Sequence, residues 1–211
     1  MRNDAGKPVL LKMVAAIQAN KDYLGEVDGL IGDGDHGMNM NKGFTIFAEQ
    51  IKDREIGFAA GLGELGDVLF SKIGGSMGPI YGTLFMGMAA AGKDSDEINL
   101  DAFAAMLAAG LSDLRDVVQA QVGDKTLIDT LAPAVAAVEG AAKAGKSFAA
   151  ALAEMKAAAQ VGRDSTKGLA AKFGRSSRLG ERSKGVLDAG AVSCCLILCA
   201  MADGILELTG G

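Results

Sequence analysis

The sequence predicts an all-α protein of about eight helices, organised as a single domain over residues 1–211. Three observations carry this prediction. Apolar residues recur at three- and four-residue spacing almost throughout, the pattern of helices that each bury one face. Alanine, the strongest helix former, occupies 36 of 211 positions, in excess over the β-branched residues. The runs of Val, Ile, Thr and aromatic residues that mark strands are missing.

In chain order, Pro8 opens a first helix, where its absent N–H costs nothing, and Leu11, Val14 and Ile17 carry it to about Asn20. A second fits Met38 to Lys52, with Met40, Phe44 and Phe47 on one face. A third fits Ile56 to Lys72 through Leu62, Leu65, Val68 and Leu69. Pro79 starts a fourth, which runs to about Ala91. A fifth spans Asn99 to Gln119, and a sixth spans Thr126 to Ala144 with Pro133 inside it. Ser147 is an N-cap for a seventh that reaches about Lys172. The eighth covers Gly190 to Leu208. No linker long enough to divide the chain into two domains separates them.

Composition excludes several classes. A net charge of −5 argues against a dedicated nucleic-acid binder. Hydrophobic residues make up 49%, too many for a disordered chain. The longest nearly unbroken apolar stretch, Ala189 to Ala202, is shorter than the roughly 18 residues that read as a membrane span. Cys194, Cys195 and Cys199 all lie in that stretch at helical spacing and read as core residues, without the paired spacing of a zinc site. The first twenty residues place charges where a secretory signal needs its apolar centre, so the expected compartment is the cytoplasm.

Four connections are rich in glycine and polar residues: 25–37, 74–78, 122–125 and 173–189. Loops on a rigid scaffold are where function concentrates. The first, GEVDGLIGDGDHGMN, sets Asp28, Asp33 and Asp35 within eight positions among glycines that allow tight folding. Three carboxylates that close repel unless a cation joins them, and Mg²⁺ takes oxygen ligands while leaving positions for phosphate. A solvated acidic turn is the plainer alternative. The EF-hand pattern fails here, since Gly37 and Met38 fall where its third ligand and its glycine belong. The single histidine, His36, adjoins this loop.

Gly74 to Pro79, GGSMGP, suits an anion held by backbone N–H groups at a helix start. Gly174 to Ser183, GRSSRLGERS, brings Arg175, Arg178 and Arg182 together, guanidinium groups suited to bidentate phosphate contact. GDKT, Gly123 to Thr126, is a further turn entering a helix. Gly140 to Ser147, GAAKAGKS, matches a Walker A expression, but helical residues precede it where that motif needs a strand. Gly145 reads instead as a helix terminator and Ser147 as the next cap. An acidic metal loop with glycine-rich and basic phosphate loops on a helical frame points to phosphoryl transfer, which rests mostly on positioning and charge stabilisation.

Four segments, IGDGDHGMNM (31–40), SKIGGSMGPIYG (71–82), GDKTLID (123–129) and GRSSRLGERSKGVLDAGA (174–191), occur in the order found in the L subunit, or nucleotide-binding domain, of dihydroxyacetone kinases. The chain resembles that family over nearly its whole length. The resemblance implies an up-and-down antiparallel barrel of eight helices with ADP or ATP and Mg²⁺, two ions, at one end. It implies Asp28, Asp33 and Asp35 as metal ligands. It implies nucleotide contacts from His36, Gly37, Met38, Asn39, Gly75, Ser76, Met77, Gly123, Arg175, Arg178, Asp188, Ala189 and Gly190. Arg175 and His36 are the expected catalytic pair. The acceptor implied is a keto-sugar, dihydroxyacetone, held covalently on a separate K-type subunit. A chain without that K domain resembles the bacterial systems in which a phosphotransferase-system protein, the M-type subunit, recharges the bound ADP. A homodimer is admissible. Val186 stands where the family commonly has His, Ala189 where it has Pro, and Arg178 where it often has Tyr. Those departures leave room for an ATP-dependent kinase of a related keto-tetrose such as erythrulose. A nucleotide-sensing module that binds a transcription factor is the competing reading outside catalysis.

Overall fold

The structure, a computed structural model, describes residues 1–210. Among these it contains nine α-helices: α1 (Lys7–Ala19), α2 (Lys21–Gly29), α3 (His36–Ile51), α4 (Phe58–Lys72), α5 (Met77–Gly92), α6 (Leu100–Val117), α7 (Ile128–Lys143), α8 (Phe148–Ser165) and α9 (Ala189–Thr209). Short 3₁₀ helices cover Asn3–Ala5 and Thr166–Gly168, and two 3₁₀ turns within Arg175–Ser183 are separated by a kink at Gly180 (φ 50°). The described residues contain no strand, only an isolated bridge between Arg2 and Glu97.

Eight of the helices form a closed ring in the order α1, α3, α4, α5, α6, α7, α8, α9, with α9 packing back against α1. Small residues set the separation between neighbouring staves. A Cβ at Gly82 of α5 would lie 2.8 Å from the Phe70 Cβ of α4, and one at Gly110 of α6 would lie 2.6 Å from the Leu84 carbonyl oxygen of α5. A Cβ at Gly204 would meet Val9 of α1 at 3.0 Å. These contacts pair the late part of one helix with the early part of the next, so neighbours run antiparallel. The up-and-down helical barrel expected from the motifs is therefore the observed architecture.

The interior is filled by Phe44, Phe47, Phe58, Phe85 and Phe103, all fully buried, with Leu, Ile and Met around them. Phe44 meets Phe85 edge-on at 6.5 Å between ring centroids. Buried aromatic pairs of this geometry contribute beyond their area.

Three readings are corrected. Residues 21–29, read partly as loop, form α2, because Leu24 and Val27 bury one face against α3 and α9. Asp28 thus sits in the last turn of a helix. The seventh predicted helix stops at Ser165 rather than Lys172; the Thr166 hydroxyl turns back onto the Arg163 carbonyl at 2.6 Å, and the chain leaves as a 3₁₀ turn. Finally, α9 has 21 residues and is long and apolar enough to cross a membrane by length and composition, but 72% of its apolar window is buried. Its apolar content is that of a stave packed between α1, α7 and α8.

Pro133 lies within α7 without ending it. Its missing N–H leaves the Asp129 carbonyl without its helical donor. The Walker-like segment joins α7 to α8: Gly145 adopts φ 65°, its N–H donates to the Ala142 carbonyl at 2.9 Å, and the Ser147 hydroxyl caps α8. Helix flanks it on both sides, as its composition predicted.

Candidate functional site

Antiparallel alternation gathers the N-termini of α3, α5, α7 and α9 at one end of the barrel, together with the loops predicted to carry chemistry. Each helix N-terminus offers unpaired N–H groups and a partial positive charge. A cleft of about 540 Å³ opens there. Asp28, Asp33, Asp35 and Arg175 line it together with Ser76, Met77, Asp188, Ala189 and Gly190. Ile31, Ile80, Val117, Val118, Leu127 and Phe173 supply apolar wall. The volume falls within the range of small-molecule sites, about 300–1,000 Å³.

The acidic loop folds as its glycines require. Gly34 takes φ 77° and turns the chain back over α2. A side chain at Gly32 would overlap the Asp28 carboxylate. The result brings one carboxylate oxygen each from Asp28, Asp33 and Asp35 within 4.8 Å of one another. Asp28 is half-buried; burial raises its carboxyl above the ordinary range, the His36 backbone N–H opposes this, and the charges of Asp33 and Asp35 reinforce it. Arg175 is drawn onto this cluster, pairing with Asp33 and standing 4.0 Å from Asp35. A hard cation with oxygen preference fits this donor set, and the guanidinium already stands in for positive charge there.

Asp188 caps α9 through the Ala191 N–H at 2.8 Å. Burial pushes its carboxyl up to about 6, against the pull of the Ala191 N–H and the nearby Lys125 ammonium. Lys125 belongs to the GDKT turn, whose motif alone gives this side chain no role. It holds φ 62°. Its buried ammonium donates to the Thr166 carbonyl at 2.5 Å and to the Val186 carbonyl. The Asp129 carboxylate closes the same turn by accepting from Gly123 N–H at 2.6 Å and Thr126 N–H at 2.8 Å.

His36 lines the cleft but is only 6% exposed, and its Nε2 shares a hydrogen bond of 2.8 Å with Ser193 Oγ. Ser193 Oγ in turn bonds Tyr81 Oη at 2.6 Å, and Tyr81 donates to the Gly190 carbonyl at 3.1 Å. Burial lowers the imidazole pKa to about 4, so the ring is neutral at physiological pH. His36 thus stands in the cleft wall with its Nε2 held by Ser193 rather than free at the surface. The ring nitrogen is committed to a buried network that aligns α3, α5 and α9. No sequence signal pairs His36 with Ser193, 157 residues away.

Of the other expected contacts, Gly37, Met38, Asn39, Gly75, Gly123 and Arg178 do not line the cleft. Gly37 is a packing residue: a side chain there would overlap the Lys21 carbonyl oxygen. Met38 is 64% exposed. Arg178 is exposed, and its Nε donates to the Arg175 carbonyl at 3.3 Å. Gly123 acts through its N–H, already given to Asp129. Val186, one of the three departures in the motif, is engaged through its backbone carbonyl by Lys125.

A helical barrel with a carboxylate cluster and an arginine at a cleft on one end defines the class, and the profile of the DAK2 domain matches residues 30–203. The chain belongs to the DAK2 domain family. It is 35% identical to the ADP-binding subunit DhaL of PEP-dependent dihydroxyacetone kinase 2 from Listeria innocua, across 93% of this chain and 92% of that one. It is also 35% identical to the ADP-binding subunit DhaL of the Escherichia coli PEP-dependent dihydroxyacetone kinase, across 86% and 87% of the two chains. Among solved structures it superimposes on the dihydroxyacetone kinase from C. freundii in complex with AMP-PNP and Mg²⁺ with a TM-score of 0.68. That match, at 21% identity, covers 92% of this chain and 33% of the other, and it shows the fold alone.

Proposed function

We propose that this chain is the nucleotide-bearing subunit of a PEP-dependent dihydroxyacetone kinase, a phosphotransferase that binds ADP or ATP with Mg²⁺ in the cleft. The observation that carries the reading is the convergence of Asp28, Asp33, Asp35 and Arg175 at a mouth formed by four helix N-termini. The DhaL relatives, similar over nearly their full lengths, support it.

Asp28, Asp33 and Asp35 would hold Mg²⁺, which when bound neutralises phosphate charge; two ions are in keeping with three carboxylates. The start of α5 at Ser76 and Met77, and that of α9 at Ala189 and Gly190, would offer free helical N–H groups to the phosphates. Arg175 offers paired N–H donors to the phosphoryl group in transfer. The apolar wall would take the base. His36 positions the backbone at the head of α3 through Ser193 and Tyr81 and does not exchange protons. Catalysis is then positioning and charge stabilisation, as phosphoryl transfer requires. The acceptor keto-sugar is held by a K-type partner subunit, and an M-type phosphotransferase-system protein restores the nucleotide. A cytoplasmic location suits free thiols and a cleft built for nucleotide.

Heat denaturation of the purified protein, followed by anion-exchange chromatography of the supernatant, tests this reading. Adenine nucleotide near one equivalent, after incubation with MgADP and desalting, is the expected result. Absence of nucleotide under those conditions would overturn it.

A further inference from the structure

The segment 169–187 forms a strap that lines the cleft at residues 173–176, and its fastening is uneven. Lys125 grips the carbonyls just outside and near the end of it, Thr166 and Val186. Ala171 N–H donates to Ser183 Oγ at 2.8 Å, and Lys172 pairs with Asp124 at 2.7 Å. The tip, Gly174 to Arg178, is bonded mainly to itself, through Ser177 Oγ to the Gly174 carbonyl and Arg178 Nε to the Arg175 carbonyl. Among the described residues, its one polar tie to the body of the protein is Arg175 on the carboxylates. That pair is partly exposed, 56% and 36% at the two side chains. A pair this open to water is weak, so a divalent charge can replace it.

We propose that Arg175 is the resident counter-cation of the Asp28–Asp33–Asp35 cluster and competes with the divalent ion for it. Arrival of the ion releases the guanidinium, and with it the strap tip, toward the phosphates. The proposal rests on the metal reading of the three carboxylates given above. The physical reason is charge. Three converging carboxylates without a cation destabilise one another, and the arginine relieves that repulsion. A doubly charged oxygen-seeking ion relieves it better and leaves the arginine without a partner. The guanidinium, fixed in charge, then pairs with the next dense anion in the cleft. One side chain thereby couples metal occupancy to closure of the strap.

The consequence has opposite signs for the two ligands. With Mn²⁺ alone as probe, titrated without nucleotide and followed by the electron paramagnetic resonance of free Mn²⁺, Arg175→Gln should bind roughly two- to five-fold tighter than the unaltered protein. The same variant should bind MgADP more weakly. Arg175→Lys, which keeps the charge but not the fork, should fall between them for Mn²⁺. Hydrogen exchange at residues 174–178 should speed up when Mn²⁺ is added alone. Equal or weaker Mn²⁺ binding by Arg175→Gln, with Mn²⁺ binding still abolished by Asp33→Asn, overturns the competition and leaves the metal site standing. Mn²⁺ binding that Asp33→Asn does not alter overturns the metal reading and the proposal with it.

Discussion

At the residue scale, identical side chains do different work according to what surrounds them. Asp33 and Asp35 are accessible and face one another and Arg175, whereas Asp188 and Asp129 are engaged by backbone N–H groups and order the loops around the cleft. Asp33→Asn should therefore lower Mn²⁺ and nucleotide affinity by at least ten-fold while leaving the thermal midpoint of the ligand-free protein nearly unchanged. Isothermal titration together with a melting curve separates the two effects. The cysteines divide in the same way. Cys194 is buried, and burial raises its thiol well above the ordinary range. Cys199 is partly exposed and lies 4.0 Å from Cys195; hydrogen bonding with that thiol lowers its pKa, burial opposes, and the Lys156 ammonium assists. A lowered pKa means that the reactive thiolate accumulates at lower pH as pH rises. Iodoacetamide should therefore modify Cys199 first, with a half-maximal rate below the roughly 8.5 of a free thiol. Peptide mapping across pH 6–9 measures this, and equal labelling of Cys194 and Cys199 would contradict it.

At the element scale, helix periodicity made the eight staves legible, with ends mostly within two residues of those observed. The short helix α2 was less legible, because its glycines and acids are also the composition of a turn, and only its packing on α3 and α9 makes it helical. That packing is what places Asp28 opposite Asp33 and Asp35. Gly37→Ala should push α2 away, since the added methyl overlaps the Lys21 carbonyl oxygen. A loss of stability of about 1–3 kcal/mol is expected from overpacking of this kind. Mn²⁺ binding should fall with it. Gly140→Ala in α7, where a Cβ meets nothing within 4 Å, is the matched control and should stabilise by up to about 1 kcal/mol. Denaturant midpoints of the two variants moving in the same direction would count against this account of α2.

At the scale of the whole molecule, the cleft is the open end of a closed ring, so ligand and barrel share stability. A ligand bound only by the folded chain at a hundred times its dissociation constant stabilises by about 2.7 kcal/mol. For a domain of this length that is a rise of about 5–10 °C in the melting midpoint with MgADP. Addition of EDTA should return the midpoint to that of ligand-free protein, which differential scanning calorimetry can follow. The sequence by itself determined the helical class, the number of staves and the four glycine-rich loops that contribute to the cleft. Periodicity, caps, glycine turns and short motifs are properties of neighbours along the chain. Only the tertiary structure decided that His36 is buried against Ser193 and Tyr81, that Lys125 fastens the strap, that Gly37 is a packing residue and that Arg175 rests on the carboxylates of the acidic loop. Those roles depend on partners 41 to 157 positions apart for His36, Lys125 and Arg175, and for Gly37 on the approach of α2 to α3. Such pairings are set when eight antiparallel helices close into a ring and bring alternate ends together, which no local pattern specifies.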